Sequence, residues 1–334
     1  MDAFSEVLST LKLQGALFFN AEFSAPWGFL SPRSDFLAPH LVPGAERLVI
    51  YHFVLEGSAS VRTESGETVS LIPGDLVVIP HGDPHYLTCG SPPQLMDQDA
   101  VLKLILCRDP GPRCTGGGGD VTRFVCGFMA CDPRLSQPIL GGLPAVIKVN
   151  IHADASGQWL ENSIRHLVQE AESGSPGSSA MLAKLSEALF VETLRRYVAS
   201  LPAEQTGWLA GTRDPIVGKS LAILHQRPQH PWTIAELARE VGLSRSALVD
   251  RFSRYLSEPP MAYLARWRLQ LAARALGSTS HSVAEIAREV GYESEASFNR
   301  AFKREFGSPP ARFRKERKAD SGKVQPPAAV PVRI

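Results

Sequence analysis

Two different spacings of apolar residues divide the chain. Between about residues 15 and 150, short apolar or alternating runs recur between turn residues, as in residues 48–57 (LVIYHFVLEG) and 75–82 (DLVVIPHG). Short runs at regular intervals predict the strands of a β-sandwich or barrel. After about residue 155 the spacing becomes helical, and Trp159, Ile164, Leu167 and Val168 fall on one stripe. The pattern therefore predicts a β-rich first half followed by helices.

The helical half contains an internal repeat. Residues 235–242 (AELAREVG) and 284–291 (AEIAREVG) differ at one of eight positions. Thr233 and Ser282 precede the two copies, and a glutamate follows each of them three residues later, which predicts a capping box at both helix starts. A glycine ends each short helix, and an amphipathic helix follows. This layout predicts two helix-turn-helix units, whose second helices have the size to enter the DNA major groove.

Charge is distributed unevenly along the chain. Residues 231–318 hold 16 Lys and Arg against 10 Asp and Glu, and the remainder holds 19 against 24, although the net charge is only +1. A basic C-terminal module beside an acidic remainder indicates that only the former meets a polyanion. The chain has no apolar run long enough for a membrane span and no signal-peptide layout at its start, so we expect a cytoplasmic protein without a membrane partner. Five cysteines occur, none in a CxxC spacing, which argues against a structural zinc finger.

The repeat carries a family resemblance. Residues 214–317 resemble the DNA-binding domain of the AraC/XylS family of bacterial regulators. Residues 266–276 (RWRLQLAARAL) are similar to the linker helix of that family, and residues 291–314 (GYESEASFNRAFKREFGSPPARFR) are similar to its signature segment. The resemblance implies that each second helix reads one major-groove segment of double-stranded DNA, and that RNA polymerase is a further partner.

Carried over by position, the resemblance gives candidate contacts. The base-contact candidates are Arg245, Ser246, Val249, Asp250, Glu295, Ala296, Ser297, Asn299 and Arg300. Arginine can bond guanine at two atoms, asparagine can read adenine, and glutamate can accept from cytosine. Asp250 departs from the basic residue that many relatives have, which puts base contact at that position in doubt. The phosphate candidates are Arg251, Arg254, Lys303 and Arg304.

The β-rich half resembles a different family. Gly74, Pro80, Gly82 and His85 have the spacing of the second motif of cupins, which are jelly-roll barrels. The first cupin motif is incomplete, because only His52 and Glu56 stand in its region, and a full ligand set for oxygen chemistry is missing. Residues 116–128 (GGGGDVTRFVCGF) and 207–215 (GWLAGTRDP) resemble segments of AraC-type regulators that carry a cupin-like sensor. This resemblance makes His52, His85 and Cys126 candidates for the effector pocket and for the ligands of zinc or another divalent metal. The alternative is that the histidines are hydrogen-bonded residues lining the barrel.

Cysteine chemistry gives a further hypothesis. A thiol pair among Cys89, Cys107 and Cys126 could act as a redox switch. The other explanation for each of these residues is that it fills a gap in the core.

The predicted fold is therefore multidomain β plus α. A cupin-like jelly-roll barrel is expected at 1–150, a helical linker and dimerisation region at 151–212, an all-α domain with two helix-turn-helix units at 213–317, and a disordered tail at 318–334. The expected function is a homodimeric regulator that binds promoter DNA, acts as an activator, and senses a small molecule, a metal or a redox signal. The alternative is a cupin metalloenzyme, an isomerase or dioxygenase, fused to a DNA-binding domain. Because the first motif is incomplete, we expect no enzyme.

Overall fold

The computed structural model describes residues 3–10, 14–42, 45, 47–106, 113–130, 140–152, 155–172, 176–202 and 204–322. The chain forms two compact units. One unit runs from Lys12 to Leu201, and the other combines Met1–Leu11 with Pro202–Ile334. Within the described residues, no helix is both long enough and apolar enough to cross a bilayer.

The unit from Lys12 to Leu201 contains a β-barrel of two facing sheets. Its strands are β1 (Gln14–Ser24), β2 (Trp27–Ser31), β3 (Leu48–Glu56), β4 (Ala59–Thr63), β5 (Thr68–Leu71), β6 (Asp75–Ile79), β7 (His85–Cys89), β8 (Arg113–Gly116), β9 (Val121–Ala130) and β10 (Ile147–Asn150). The larger sheet has the order β10-β6-β3-β9-β1-β8 and the smaller one the order β2-β7-β4-β5. The pairs are antiparallel except for β1 with β8. This architecture confirms the predicted cupin-like jelly roll.

The barrel interior is filled by apolar side chains from both sheets. Four aromatic rings meet there, and the centroid of Phe23 lies 5.2 Å from that of Phe124 and 4.9 Å from that of Trp27. Phe29 completes the group, 5.8 Å from Phe23. Ring pairs at these separations add to the stabilisation that burial of apolar area gives. The run LVIYHFVLE is almost entirely buried because β3 lies in the middle of its sheet.

The described residues of the same unit also form the helices α2 (Ser34–Leu41), α3 (Gln98–Leu106), α4 (Ala155–Glu172) and α5 (Ser178–Ser200). Helix α5 packs on β1, where a Cβ atom added to Gly15 would lie 2.7 Å from the Cβ of Ser186. The hydroxyl groups of Tyr51 and Ser186 are 2.6 Å apart and share a buried hydrogen bond. The predicted boundary at residue 150 is therefore wrong for this unit, since α4 and α5 cover the barrel instead of forming a separate linker.

The apolar stripe of α4 also differs from the prediction. Leu160, Ile164 and Val168 are buried, whereas Trp159 is 64% exposed. The side chain of Leu167 lies outside the described residues. Trp159 is off the stripe because it lies one position before Leu160, about 100° around the helix.

In the second unit, the described residues form helices joined by turns and loops. Its helices are α1 (Ala3–Thr10), α6 (Trp208–Arg213), α7 (Pro215–Gln226), α8 (Ile234–Val241), α9 (Arg245–Leu256), α10 (Pro260–Ser278), α11 (Val283–Glu289), α12 (Glu295–Phe306) and α13 (Pro310–Gly322). Helix α1 packs on α7 and α6, and the rings of Phe4 and Trp208 are 6.4 Å apart. Helix α1 therefore lies in the compact helical unit, whereas the prediction assigned residues 1–150 to the sensor domain.

Two segments outside the regular barrel and helix pattern are ordered in part. Strand β8 immediately precedes the glycine-rich residues 117–119 and pairs with β1. Helix α13 extends to Gly322, beyond the predicted start of a disordered tail at residue 318. Residues 323–334 lie outside the described residues.

Candidate nucleic-acid interface

Each repeat forms a helix, a turn and a second helix. In the first unit, Thr233 caps α8 and Gly242 adopts a left-handed conformation at φ 76°, after which Ser244 caps α9. Capping side chains satisfy amide groups that have no partner inside the helix. In the second unit, Ser282 caps α11 and Ser294 caps α12. The two predicted helix-turn-helix units are confirmed.

Only the second unit has a complete capping box. The Ser282 hydroxyl accepts from the Glu285 amide, and the Glu285 carboxylate accepts from the Ser282 amide. In the first unit the Thr233 hydroxyl accepts from the Glu236 amide, but the Glu236 carboxylate lies 2.9 Å from Nε2 of His230. The prediction of two capping boxes is therefore wrong at Glu236, because its carboxylate contacts His230 instead of completing a box with Thr233.

The two second helices, α9 and α12, have the same buried face. Leu248 and Phe252 are fully buried on α9, and Phe298 and Phe302 are fully buried on α12. The two pairs are 50 positions apart and hold each helix in its unit with the same rotation. The opposite faces are therefore comparable position by position.

The predicted base-contact residues lie on these opposite faces. Arg245, Ser246, Asp250, Glu295, Ala296 and Arg300 are exposed, and Val249, Ser297 and Asn299 are partly exposed. Arg245 and Glu295 occupy equivalent first positions of the two helices, and Asp250 and Arg300 occupy equivalent sixth positions. The charge is thus reversed at both pairs of equivalent positions.

Three of the four predicted phosphate contacts are exposed cations. Lys303 and Arg304 lie in the last turn of α12 and Arg254 in that of α9. Exposed basic side chains are a usual source of phosphate contacts in protein–DNA complexes. Arg254 also lies over the ring of Tyr255, at 5.6 Å from the centroid.

Arg251 has a different partner. Its Nη2 atom donates to Oδ2 of Asp214 at 2.7 Å, and its Nε atom lies 3.1 Å from both carboxylate oxygens. The same carboxylate caps α7 by accepting from the amides of Ile216 and Val217. Burial alone would raise the pKa of Asp214, but these hydrogen bonds outweigh it and hold the pKa below its ordinary value. Arg251 therefore joins α9 to α7, which is a structural role that the sequence did not indicate.

Within the barrel, three predicted pocket residues come together. His52 on β3 is directly opposite Cys126 on β9, and its Nδ1 atom lies 2.5 Å from Sγ of Cys126. Its Nε2 atom lies 2.8 Å from Nε2 of His85, which begins β7 in the other sheet. The Nδ1 atom of His85 lies 2.9 Å from the carbonyl oxygen of Asp83. The four groups form one buried hydrogen-bonded chain that joins the two sheets.

Burial keeps the side chains of this hydrogen-bonded chain neutral. Desolvation lowers the pKa of His85 to about 4. Desolvation, helped by the neighbouring His85, also lowers the pKa of His52 well below its usual value. Desolvation also raises the pKa of the Cys126 thiol well above its usual value. A neutral thiol reacts slowly with oxidants, because the thiolate is the reactive form.

The arrangement does not fit a metal ion. His52 directs Nδ1 to Cys126 and Nε2 to His85, on opposite sides of its ring, so the three side chains do not converge on one point. A zinc site needs one donor atom from each ligand around a common centre. Among the described residues, no group of three or more His, Cys, Asp or Glu is placed to hold a metal. The hydrogen-bonded alternative for the two histidines agrees with the geometry.

The redox candidate Cys89 lies at the opposite end of β7 from His85. Cys89 ends β7, is half-buried, and faces Trp27 across the strand pair. Cys107 lies outside the described residues. The structure gives no thiol pair among the described residues.

Known proteins share both halves of the chain. Residues 2–199 match the family described as Cupin, and residues 237–316 match the family described as Helix-turn-helix domain. The HTH-type transcriptional regulator AlkR of Acinetobacter baylyi is 29% identical over 95% of this chain and 100% of its own length. A putative AraC-like transcription regulator of Streptomyces lividans is 31% identical over 94% of this chain and 98% of its own. The RCS-specific HTH-type transcriptional activator RclR of Escherichia coli is 27% identical over 94% and 97%.

The fold, the paired second helices and these relatives define a DNA-binding transcription regulator. The chain belongs to the AraC family of transcriptional regulators and carries an N-terminal cupin domain. The relatives give no support to the alternative of a cupin metalloenzyme fused to a DNA-binding domain.

Proposed function

We propose that this regulator reads two different major-groove segments of one promoter and that its barrel controls this binding in response to an effector. The observation that carries the proposal is the charge reversal between two helices of identical burial, Arg245 with Asp250 on α9 and Glu295 with Arg300 on α12. A homogeneous basic face would support binding to any DNA. Opposed charges at equivalent positions instead favour direct reading of two unlike sequences.

The chemistry of the exposed side chains suggests the bases. Arg245 and Arg300 each suit a guanine, since a guanidinium can bond O6 and N7 together. Asn299 suits an adenine, and Glu295 suits the amino group of a cytosine. Asp250 would be repelled by phosphate, so we place it over the groove floor, away from the backbone. The promoter then contains two non-identical segments.

Exchange of charge tests this assignment. The preferred sequence is first selected from random duplexes with the full chain, and the selection is repeated with Arg245→Glu and with Glu295→Arg. We expect each variant to change the preferred base at one position of one segment and to leave the other segment unchanged. Arg239→Glu, on the outer face of α8, is the matched control and should only weaken binding. Failure of the wild-type chain to select any sequence would refute the proposal.

We infer that the chain Cys126–His52–His85 is the sensing centre of the barrel. Here the hydrogen bond between His52 and His85, at 2.8 Å, joins the interiors of the two sheets. A small molecule that forms a hydrogen bond with either imidazole would break the His52–His85 bond and shift the two sheets. The geometry favours such a ligand over a metal, and the buried neutral thiol disfavours Cys126 as an oxidant's target.

Footprinting separates these signals. The promoter next to the gene is footprinted with and without candidate small molecules, zinc and a peroxide or hypochlorite oxidant. Loss of a small-molecule response in His85→Gln, with unchanged DNA binding, would support the sensing centre. A response only to the oxidant, lost in a Cys89→Ser, Cys107→Ser or Cys126→Ser variant, would overturn it in favour of a thiol switch.

We also propose that the regulator acts as a homodimeric activator that contacts RNA polymerase in the bacterial cytoplasm. The relative RclR is named as an activator, and the exposed Trp159 on α4 is suited to pack against a second copy. Trp159→Glu should then produce a monomer in light scattering. Ile72→Glu, at a slightly less exposed apolar residue of the barrel unit, is the control and should leave the dimer intact.

A further inference from the structure

The loop that joins α7 to α8, residues 227–233, is fixed to a helix beyond the first helix-turn-helix unit. We call it the connector loop. Arg268 of α10 donates from Nε to the carbonyl oxygen of Pro228 at 2.6 Å and from Nη2 to that of His230 at 2.7 Å. Trp232 donates to a third carbonyl, that of Arg227, at 3.1 Å. Charge-assisted bonds to two carbonyls of one loop fix its position on α10.

The turn of the second unit lies against the same connector loop. A Cβ atom added to Gly291 would lie 2.8 Å from the carbonyl oxygen of Gln229 and 3.0 Å from Cζ of Arg268. Side-chain carbon atoms do not approach backbone so closely, so only glycine fits at this position. The equivalent glycine of the first unit, Gly242, faces open space, although both have positive φ values of 76° and 88°. Gly242 is thus required by its backbone conformation alone, and Gly291 by a contact as well.

We propose that Arg268 and Gly291 lock the two helix-turn-helix units into one orientation, and thereby set the spacing of the two DNA segments that the protein accepts. Arg268 bonds the connector loop and also borders Gly291, which itself lies against Gln229 of that loop. Neither residue belongs to the faces that meet DNA. They are positioning residues, and this proposal rests on the reading of two segments proposed above.

The geometry of DNA makes such a lock measurable. One turn of about 10.5 base pairs advances about 34–36 Å, so each added base pair moves the second segment by more than 3 Å and rotates it by roughly 35°. A rigid pair of units cannot follow this displacement, whereas a loosened pair can. The lock therefore predicts a steep dependence of affinity on spacing, which the loss of Arg268 or Gly291 should flatten.

The test measures affinity for the selected sequence and for versions with one base pair inserted or deleted between the segments. The variants are Arg268→Lys, which keeps the charge but cannot bond both carbonyls, and Gly291→Ala. Their controls are Arg274→Lys on the same helix and Gly242→Ala at the equivalent turn. Wild-type affinity should fall at least about tenfold for an altered spacing, as it does for a wrong base pair. Arg268→Lys and Gly291→Ala should reduce this penalty below about threefold, while both controls retain it.

Several outcomes would overturn the lock. One is a wild-type protein that tolerates altered spacing, and another is an unchanged penalty in both folded variants. If either variant loses helical content in circular dichroism, the remaining one decides the result, and a penalty identical to that of its control refutes the lock. Selection of only one segment would refute the two-segment reading itself, which is a distinguishable result.

Discussion

The Nε2 atoms of His52 and His85 lie 2.8 Å apart, and this contact fixes the position of every proton in the buried chain. The carbonyl oxygen of Asp83 can only accept, so Nδ1 of the neutral His85 carries the proton and its Nε2 atom accepts from His52. His52 is then protonated at Nε2, and its Nδ1 atom accepts from the thiol of Cys126. All donors point the same way, from Cys126 toward Asp83.

This direction predicts two different tautomers. His52 should be the Nε2–H form and His85 the Nδ1–H form, because any other assignment leaves two donors or two acceptors facing each other. Nitrogen-15 NMR of histidine-labelled protein at pH 7 separates the two forms by their ring nitrogen shifts. Cys126→Ala should leave both tautomers unchanged, since the chain is oriented from Asp83. Two histidines of the same tautomer would contradict this direction of the hydrogen bonds.

The neutral histidines also predict the pH dependence of barrel stability. The pKa of His85 is about 4 in the fold and about 6.5 when unfolded, so the unfolded state binds more protons between these values. Stability is therefore complete above pH 6.5 and falls as the pH is lowered toward 4. His85 alone should cost about 2 kcal/mol between pH 7 and pH 5, and the lowered pKa of His52 adds to this loss.

Hydrogen exchange measures this effect strand by strand. Protection of the amides of β3 and β9, corrected for intrinsic exchange, should decrease between pH 7 and pH 5. The amides of α9, in the other unit, serve as an internal control and should change less. His85→Gln removes one titrating group and should flatten the dependence. Equal protection of β3 at both pH values in the wild-type protein would exclude buried neutral histidines.

The local sequence was sufficient for the elements and the helix-turn-helix units. Alternating runs predicted the barrel strands, and repeated caps and glycines predicted both units, because these signals act within a few residues. Other features depend on distant residues. The Glu236 carboxylate turns to His230, and α5 covers β1 where Gly15 leaves room, neither of which an amphipathic pattern indicates.

For the candidate residues, too, local motifs were informative and distant contacts were not. Motifs indicated His52, His85 and Cys126, which do come together, but the hydrogen bond between His52 and Cys126 depends on the pairing of β3 with β9. Arg268 falls in the predicted linker helix, but no local pattern indicates its role, because its partner Pro228 precedes it by 40 positions. Asp214 directly precedes Pro215, a sequence that is typical of a helix start and indicates its capping role but not its bond to Arg251.

The recognition helices predict separable effects on specificity and on affinity. Arg245→Ala and Arg300→Ala should each cost about 1–3 kcal/mol on the selected sequence and relax the preference at one base pair. Arg254→Ala should weaken binding to all sequences and reduce the salt slope by about 1. Fluorescence anisotropy with single-base-pair variants of the selected duplex, at two salt concentrations, distinguishes the two behaviours. A uniform loss for Arg245→Ala and Arg300→Ala would place these arginines on phosphate.

The pair Asp214–Arg251 predicts that one predicted phosphate contact is a structural residue. Arg251→Gln removes a cation that Asp214 already neutralises, so the salt slope of DNA binding should change much less than in Arg254→Gln, its exposed neighbour on α9. The carboxylate also caps α7, and Asp214→Ala should therefore lower the free energy of unfolding by about 2–3 kcal/mol, the sum of a cap and a charged hydrogen bond. Thermal unfolding of the full chain gives the stability, and anisotropy gives the slope. If Arg251→Gln and Arg254→Gln reduced the slope equally, Arg251 would have to leave Asp214 for phosphate when DNA binds, and α9 would lose its link to α7 in the complex.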